Sequence, residues 1–269
     1  MSWRAYGLVL RLTSPLHVGW RAVGNLQQTR PYVPARTLLG AFTARLTRDA
    51  GRSDYRAVGE EVAAHLACTY LYPTTDPQGL EVEFPWSDAD RFAWRFLGSH
   101  ASTALASGGG PELGSLHETE YVAPRTRDGW PVYLAGTLFV REGWTLPWRD
   151  ALPRLQLGAQ RAYGWGRVRP ESPARATDGR DHGLRLGLAG ERPVVALARD
   201  EVLLAHASWR GVAGEGAVEP WLGRETDERA ARFGARVGRA EVCWAPGTRL
   251  KEPARLAITR QGVWAAPSP

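Results

Sequence analysis

Hydrophobic residues fall at every second position in the opening segment WRAYGLVLRL. Tyr6, Leu8, Leu10 and Leu12 share one side of an extended chain, which predicts a strand over 3–12. The next stretch, TSPLHVGWRAVGNLQQTRPYVPA, is punctuated by Pro15, Gly19, Gly24, Pro31 and Pro34 and reads as a long loop. From Arg36 the period becomes helical, with Leu38, Leu39, Phe42 and Leu46 on one face until Gly51. Val58, Val62 and Leu66 mark a second helix, over by Pro73. Residues 73–115 are weakly patterned, and ASTALASGGGPELGS within them reads as a mobile surface loop. ETEYVAPRTRDGWPVYLAGTLFVR reads as two strands joined by a hairpin arm, with Leu134, Leu138 and Val140 on one face. Trp148, Leu152 and Leu155 have helical spacing that Pro153 cuts short, and a final strand is expected around 165–170.

The order strand, helices, strand, strand, helix, strand predicts an α+β domain over 1–170 of the ferredoxin-like or RRM-like βαββαβ type. Residues 171–182 read as a linker. Strands are expected near 184–188, 193–198, 202–206, 240–244 and 255–259, with a helix near 226–237. That composes a smaller, degenerate second RRM-like domain over 183–269, and 269 residues leave room for both.

Charge changes the picture more than composition does. The net charge of +6 is carried by arginine, Lys251 being the only lysine. Residues 1–48 hold seven arginines and no acid, and 153–170 hold Arg154, Arg161, Arg167 and Arg169, again without an acid. Residues 76–120 instead carry eight acids against Arg91 and Arg95. Such segregation favours an anionic partner on one face and a different partner on another. The acidic stretch also holds Phe84, Trp86, Phe92, Trp94 and Phe96. These rings either fill the chain's own core or present 84–96 to a neighbouring protein, an interface that Asp88 and Asp90 would tune.

Other classes are excluded or lack support. No run of eighteen apolar residues is present, so no membrane partner is expected, and the N-terminal segment lacks a signal-peptide layout. Two cysteines, Cys68 and Cys243, exclude a disulfide framework and fit a cytoplasmic protein. No P-loop and no G-x-S-x-G occurs. His65 and Cys68 alone do not make a zinc site. No cofactor, metal or small-molecule substrate is expected.

The candidate chemistry lies in QLGAQRAYGWGRV, residues 156–168. Gly158, Gly164 and Gly166 permit positive φ or close backbone approach. Arg161 and Arg167 suit phosphate oxygens, while Tyr163 and Trp165 offer flat faces for bases or for packing beneath the loop. The same segment also reads as a tight helix-to-strand connection. On the arm, Arg125 and Arg127 beside Trp130 are either solvated or reach along nucleotides. His17 is either a general acid or base for metal-free RNA cleavage, or a hydrogen-bonding residue for backbone or phosphate.

SPLHVG after the first strand, YVPARTLLGAF opening the first helix and LGAQRAYGWGRV before the last strand resemble, in that order, the RAMP superfamily of RRM-like CRISPR effector subunits. About a hundred residues follow the glycine-rich segment, a layout most similar to the subunit that caps the guide RNA at its 5′ handle in type III complexes. The resemblance implies a non-catalytic protein that binds guide RNA and neighbouring effector subunits. In it Gly158, Gly164 and Gly166 shape a loop whose amides meet phosphates together with Arg161 and Arg167, and His17, Arg21, Arg36, Arg45, Arg125 and Arg127 extend the track. The alternatives are an endoribonuclease that cuts repeat RNA with His17, and a scaffold subunit that hardly meets RNA.

Overall fold

A computed structural model describes residues 2–177, 180–227 and 232–267. In chain order the first half carries β1 (Trp3–Leu12), β2 (Gly19–Val23), β3 (Leu26–Thr29), α1 (Ala35–Asp49), α2 (Tyr55–His65), β4 (Leu66–Cys68), β5 (Tyr72–Thr74) and α3 (Ala89–Phe96). Then follow β6 (Leu97–Ser102), β7 (His117–Val122), β8 (Tyr133–Arg141), the single turn α4 (Trp148–Ala151), β9 (Val168–Pro170) and β10 (Arg175–Ala176). β1 and β8 pair antiparallel from Trp3↔Arg141 to Arg11↔Tyr133 and form the centre of a six-stranded sheet. β4 and β5 flank β8, and β9 and β10 flank β1, all antiparallel. All of β8 except Arg141 is buried, as expected for a strand covered on both faces. α1 turns Leu38, Leu39, Phe42 and Leu46 into the core, and α2 starts where the Asp54 carboxylate accepts the Ala57 N–H at 2.8 Å.

A second, smaller sheet has the order β2-β3-β7-β6. This corrects three expectations. Residues 13–35 are not one loop, because Gly24 at φ 58° turns the chain between β2 and β3. The weakly patterned 73–115 contains α3 and β6, while 103–116 carries no helix or strand. The two strands around the arm are not a hairpin, since β7 pairs with β6 and β3 whereas β8 belongs to the large sheet. What joins them is a tight loop closed by the Arg125↔Pro131 bridge.

The second half carries β11 (Arg180–Asp181), β12 (Leu184–Gly187), β13 (Val194–Leu197), β14 (Ala207–Ser208), β15 (Gly214–Glu215), β16 (Val218–Asp227), β17 (Arg232–Trp244), β18 (Arg249–Leu250), β19 (Ala254–Ile258) and β20 (Trp264–Ala265). Eight of them form one sheet in the order β11-β12-β13-β19-β20-β14-β17-β16. The helix expected near 226–237 is absent from the described residues there, which belong to the β16–β17 hairpin. Arginine, alanine and glutamate in that stretch favour a helix by propensity, but alternation of buried Trp221 and Cys243 with exposed neighbours pairs the two strands instead. The strand expected at 202–206 reduces to the single bridge Val202↔Arg249, with pairing resuming at β14. Among the described residues the second half holds no helix, so its expected RRM-like α+β character is not seen. The expected linker is engaged as well: Thr177 N–H donates to the Ala5 carbonyl at 3.0 Å, and residues 178–179 lie outside the described residues.

One hydrophobic core runs through both halves, from Trp3 and Leu8 to Leu256 and Trp264. At their junction lies a polar network. Arg30 donates to the Glu219 carboxylate at 2.8 Å and to the Tyr32 hydroxyl at 3.0 Å. The fully buried His206 bonds Glu219 through Nε2, and its Nδ1 lies 2.7 Å from the Tyr70 hydroxyl. The consistent proton assignment is a neutral imidazole that donates from Nε2 to the carboxylate and accepts the Tyr70 O–H at Nδ1. Burial lowers the His206 pKa, against the pull of Glu219. Burial alone would raise the Glu219 carboxyl, but the His206 hydrogen bond and Arg30 outweigh it and bring it down to about 2. Burial likewise pushes the Tyr32 hydroxyl up to about 12.

Candidate nucleic-acid interface

Where β1 ends, residues 13–17 are held between the glycine-rich loop and β7. On one side, Gly166 N–H donates to the Pro15 carbonyl at 2.7 Å, Ala159 N–H to the His17 carbonyl at 2.8 Å, and Arg167 N–H to Ser14 Oγ at 2.9 Å. On the other side, Leu16 and Val122 exchange two backbone hydrogen bonds of 3.0 and 2.8 Å. Two glycines make this close approach possible. Gly158 has φ 71°, and a Cβ there would drive into the His17 carbonyl oxygen. Gly166 has φ 75°, and a Cβ there would overlap the Leu157 carbonyl. Gly164, φ 83°, caps the short turn Arg161–Tyr163, where a Cβ would meet only the end of the Arg167 side chain at 3.9 Å. Gln156 ties the loop internally, its side-chain amide donating to the carbonyls of Arg161 at 2.9 Å and Trp165 at 2.8 Å.

This geometry divides the roles expected of the segment. The amides of Leu157, Ala159, Tyr163, Gly164, Trp165, Gly166 and Arg167 are committed to holding the loop, so its cationic side chains are left as the main anion contacts. Arg161 and Arg167 are exposed and enter no ion pair among the described residues. The Tyr163 ring is 81% exposed and free to stack. Trp165 packs beneath the loop, edge-on to Tyr121 at 5.3 Å and near His100 at 6.3 Å.

His17 is 5% exposed, and its Nδ1 donates to the Glu120 carbonyl at 2.7 Å. Among the described residues, no carboxylate, lysine, tyrosine or second histidine is among its hydrogen-bond partners. Arg21 stacks on Trp20 at 4.1 Å and donates to Gln28 at 2.6 Å while staying exposed. Arg125 and Arg127 sit exposed on the 124–131 loop, where Arg125 donates to the Gly129 carbonyl at 3.0 Å and Trp130 is 60% exposed. Arg36 and Arg45 are not brought to the loop as free cations. Arg36 is half-buried, donates to the Arg224 carbonyl at 2.5 Å and lies over Trp221, and burial lowers its pKa. Arg45 pairs with Asp49, which Arg154 also engages at 2.9 Å.

The acidic stretch is resolved largely in favour of the core. Phe92 and Phe96 are buried, and Phe84 stacks on Trp86 at 5.0 Å against Tyr72. Only Trp94 of the five rings projects, 56% exposed. Asp88 caps α3 by accepting the Arg91 N–H at 3.0 Å, and both Asp88 and Asp90 are exposed. Sequence reasoning missed Gln156, which ties the loop internally, and Ser14 and Tyr121, which meet it from positions distant in the chain. Among the described residues no group of three or more His, Cys, Asp or Glu is placed to hold a metal ion, and no helix is long and apolar enough to cross a membrane.

No protein-family model and no curated protein matches the chain. Among solved structures, its fold is similar to a chain in the cryo-EM structure of the Type III-B Cmr-beta bound to cognate target RNA and AMPPnP. The TM-score is 0.53, covering 91% of this chain and 86% of that one at 12% identity. Chains of two further Cmr-beta structures, one bound to cognate target RNA and one in the apo state, cover 62% and 65% of this chain with TM-scores of 0.41 and 0.39. At 12% identity the first likeness is one of fold, spanning nearly the whole chain.

Proposed function

We propose that the chain is a non-catalytic, guide-RNA-binding subunit of a type III-like CRISPR effector complex, holding the 5′ handle and bridging neighbouring subunits. The observation that carries this reading is the loop itself. Arg161, Arg167 and Tyr163 stand exposed, the arginines without an ion pair among the described residues, on a frame that Gly158 and Gly166 clamp to residues 14–17. Cations and a free ring on a rigid support suit a single-stranded phosphodiester backbone. The similar chain comes from a Type III-B Cmr-beta structure bound to cognate target RNA, which supports RNA as the class of partner. The order β9-β1-β8-β4, antiparallel throughout, supports reading the first half as a ferredoxin-like module.

The endoribonuclease reading has less support. His17 is buried and committed to a backbone carbonyl, without a second acid–base group among its hydrogen-bond partners in the described residues. Incubation of the protein with labelled repeat RNA separates the readings. The expected result is a mobility shift with intact RNA, with or without divalent metal. Cleavage that disappears in His17→Ala would establish the nuclease, and intact, unshifted RNA would leave a scaffold.

A further inference from the structure

Beyond the loop, exposed arginines continue in register along the large sheet. β1 and β9 pair so that Arg11 lies directly opposite Arg169. Directly opposed residues of an antiparallel pair project to the same side with Cα atoms roughly 4.5–5.5 Å apart, and like charges there repel. Both side chains are exposed, and neither enters an ion pair among the described residues. The pairing runs on toward the loop, because Thr13 N–H donates to the Arg167 carbonyl at 2.9 Å. Arg167 thus precedes buried Val168 and exposed Arg169 in strict alternation, on the same side as Arg169. Its guanidinium reaches 3.9 Å from where a Cβ on Gly164 would sit, which closes the gap to the turn carrying Arg161 and Tyr163. Further along, Arg175 lies opposite Gly7, four residues from Arg11 and again on that side. Glu171, exposed between β9 and β10, forms no ion pair with any of them.

We propose that Arg167, Arg169 and Arg11 form a second row of phosphate-binding side chains that carries an RNA backbone away from the glycine-rich loop along the β1–β9 edge of the sheet, with Arg175 extending it. The inference rests on the loop being an RNA-binding element and adds the direction in which the strand leaves it. A like-charge pair held in register costs stability in the isolated protein, and a polyanion lying across it removes that cost. A row of this length selects an extended strand over a mononucleotide or a short oligomer.

The test compares the wild type, Arg11→Gln with Arg169→Gln, and Arg161→Ala with Arg167→Ala, each against a short and a long single-stranded RNA across a salt series. The row variant is expected to bind the short RNA normally while its log–log salt slope for the long RNA falls by roughly 1.4, about 0.7 for each phosphate released. In melts without RNA it is expected to be at least as stable as the wild type, because the repulsion is gone, and to lose part of the stabilisation that tripolyphosphate gives. If the row variant keeps the full slope for the long RNA while the loop variant is weakened, the row is wrong and the loop reading stands. An acidic protein surface as the true partner of the row gives that same outcome. If the wild type binds neither RNA, the loop reading fails and the row with it.

Discussion

Glu219→Ala is expected to destabilise the protein by about 3 kcal/mol, the scale for removing one partner of a largely buried ion pair. The substitution leaves the Arg30 guanidinium at the junction of the two halves without its counter-charge, and strips His206 Nε2–H of its acceptor. It also removes the acceptor of the Trp20 indole N–H, 3.1 Å from the other carboxylate oxygen, and so loosens β2 from the second half. For a chain of this size the loss corresponds to a fall in Tm of roughly 6–12 °C. Glu219→Gln, which keeps an acceptor but not the charge, is expected to fall between the two. The pH dependence has a definite sign. The folded Glu219 carboxyl, at about 2, lies below its ordinary 4.5, so its contribution is full above pH 4.5 and is lost as pH falls toward 2. His206, also lowered in the fold, takes up a proton more readily when unfolded, so stability begins to decline below its ordinary 6.5. A wild-type acid denaturation profile no steeper than that of Glu219→Ala between pH 4.5 and 2 would contradict this assignment.

Gly166→Ala is expected to abolish most RNA binding, by at least about tenfold, while the core stays folded. The backbone cost of a non-glycine residue in the left-handed region is about 1–3 kcal/mol, and here a methyl group also overlaps the Leu157 carbonyl. Relief requires opening the bridge in which Leu157 N–H donates to the Gly166 carbonyl at 2.7 Å, and that bridge fixes the positions of Arg161 and Arg167. Gly164→Ala is the internal control. It carries the same backbone strain at φ 83°, but its methyl group meets only the end of Arg167. It is expected to reduce stability by about 1 kcal/mol and to change affinity little. Equal RNA binding by wild type and Gly166→Ala, measured by fluorescence anisotropy, would show that the loop frame does not position the RNA-binding side chains.

The sequence made the core of the first half legible because its elements are amphipathic at one period. Leu8, Leu10 and Leu12 of β1 and the Leu38–Leu46 face of α1 are buried as their spacing predicts. The small sheet was hidden because β2 is exposed at every position and β6 buries none of its residues fully, which leaves no alternation to read. The β16–β17 hairpin was misread because residues 226–237 have helical propensity, and their pairing partners lie in the preceding strand. In the loop, glycine spacing announced the close approach, but not that Trp165 would pack on Tyr121 while Tyr163 stayed free. That division depends on where β7 lies, which the small sheet and the Leu16–Val122 bridge set together. Arg36 and Arg45 looked equivalent to Arg161 in the sequence, yet the Arg224 carbonyl and Asp49 occupy them.

The central claim, that the glycine-rich loop binds RNA, is tested most directly by the salt dependence of guide-RNA affinity for the wild type and for Arg161→Ala with Arg167→Ala. Neither side chain is buried, and neither is ion-paired among the described residues, so the double variant is expected to fold normally. Each phosphate no longer neutralised lowers the log–log slope by roughly 0.7–0.9, and the account predicts a fall of about 1.4–1.8 together with weaker binding at every salt concentration. A folded double variant that binds guide RNA with the wild-type slope would contradict it.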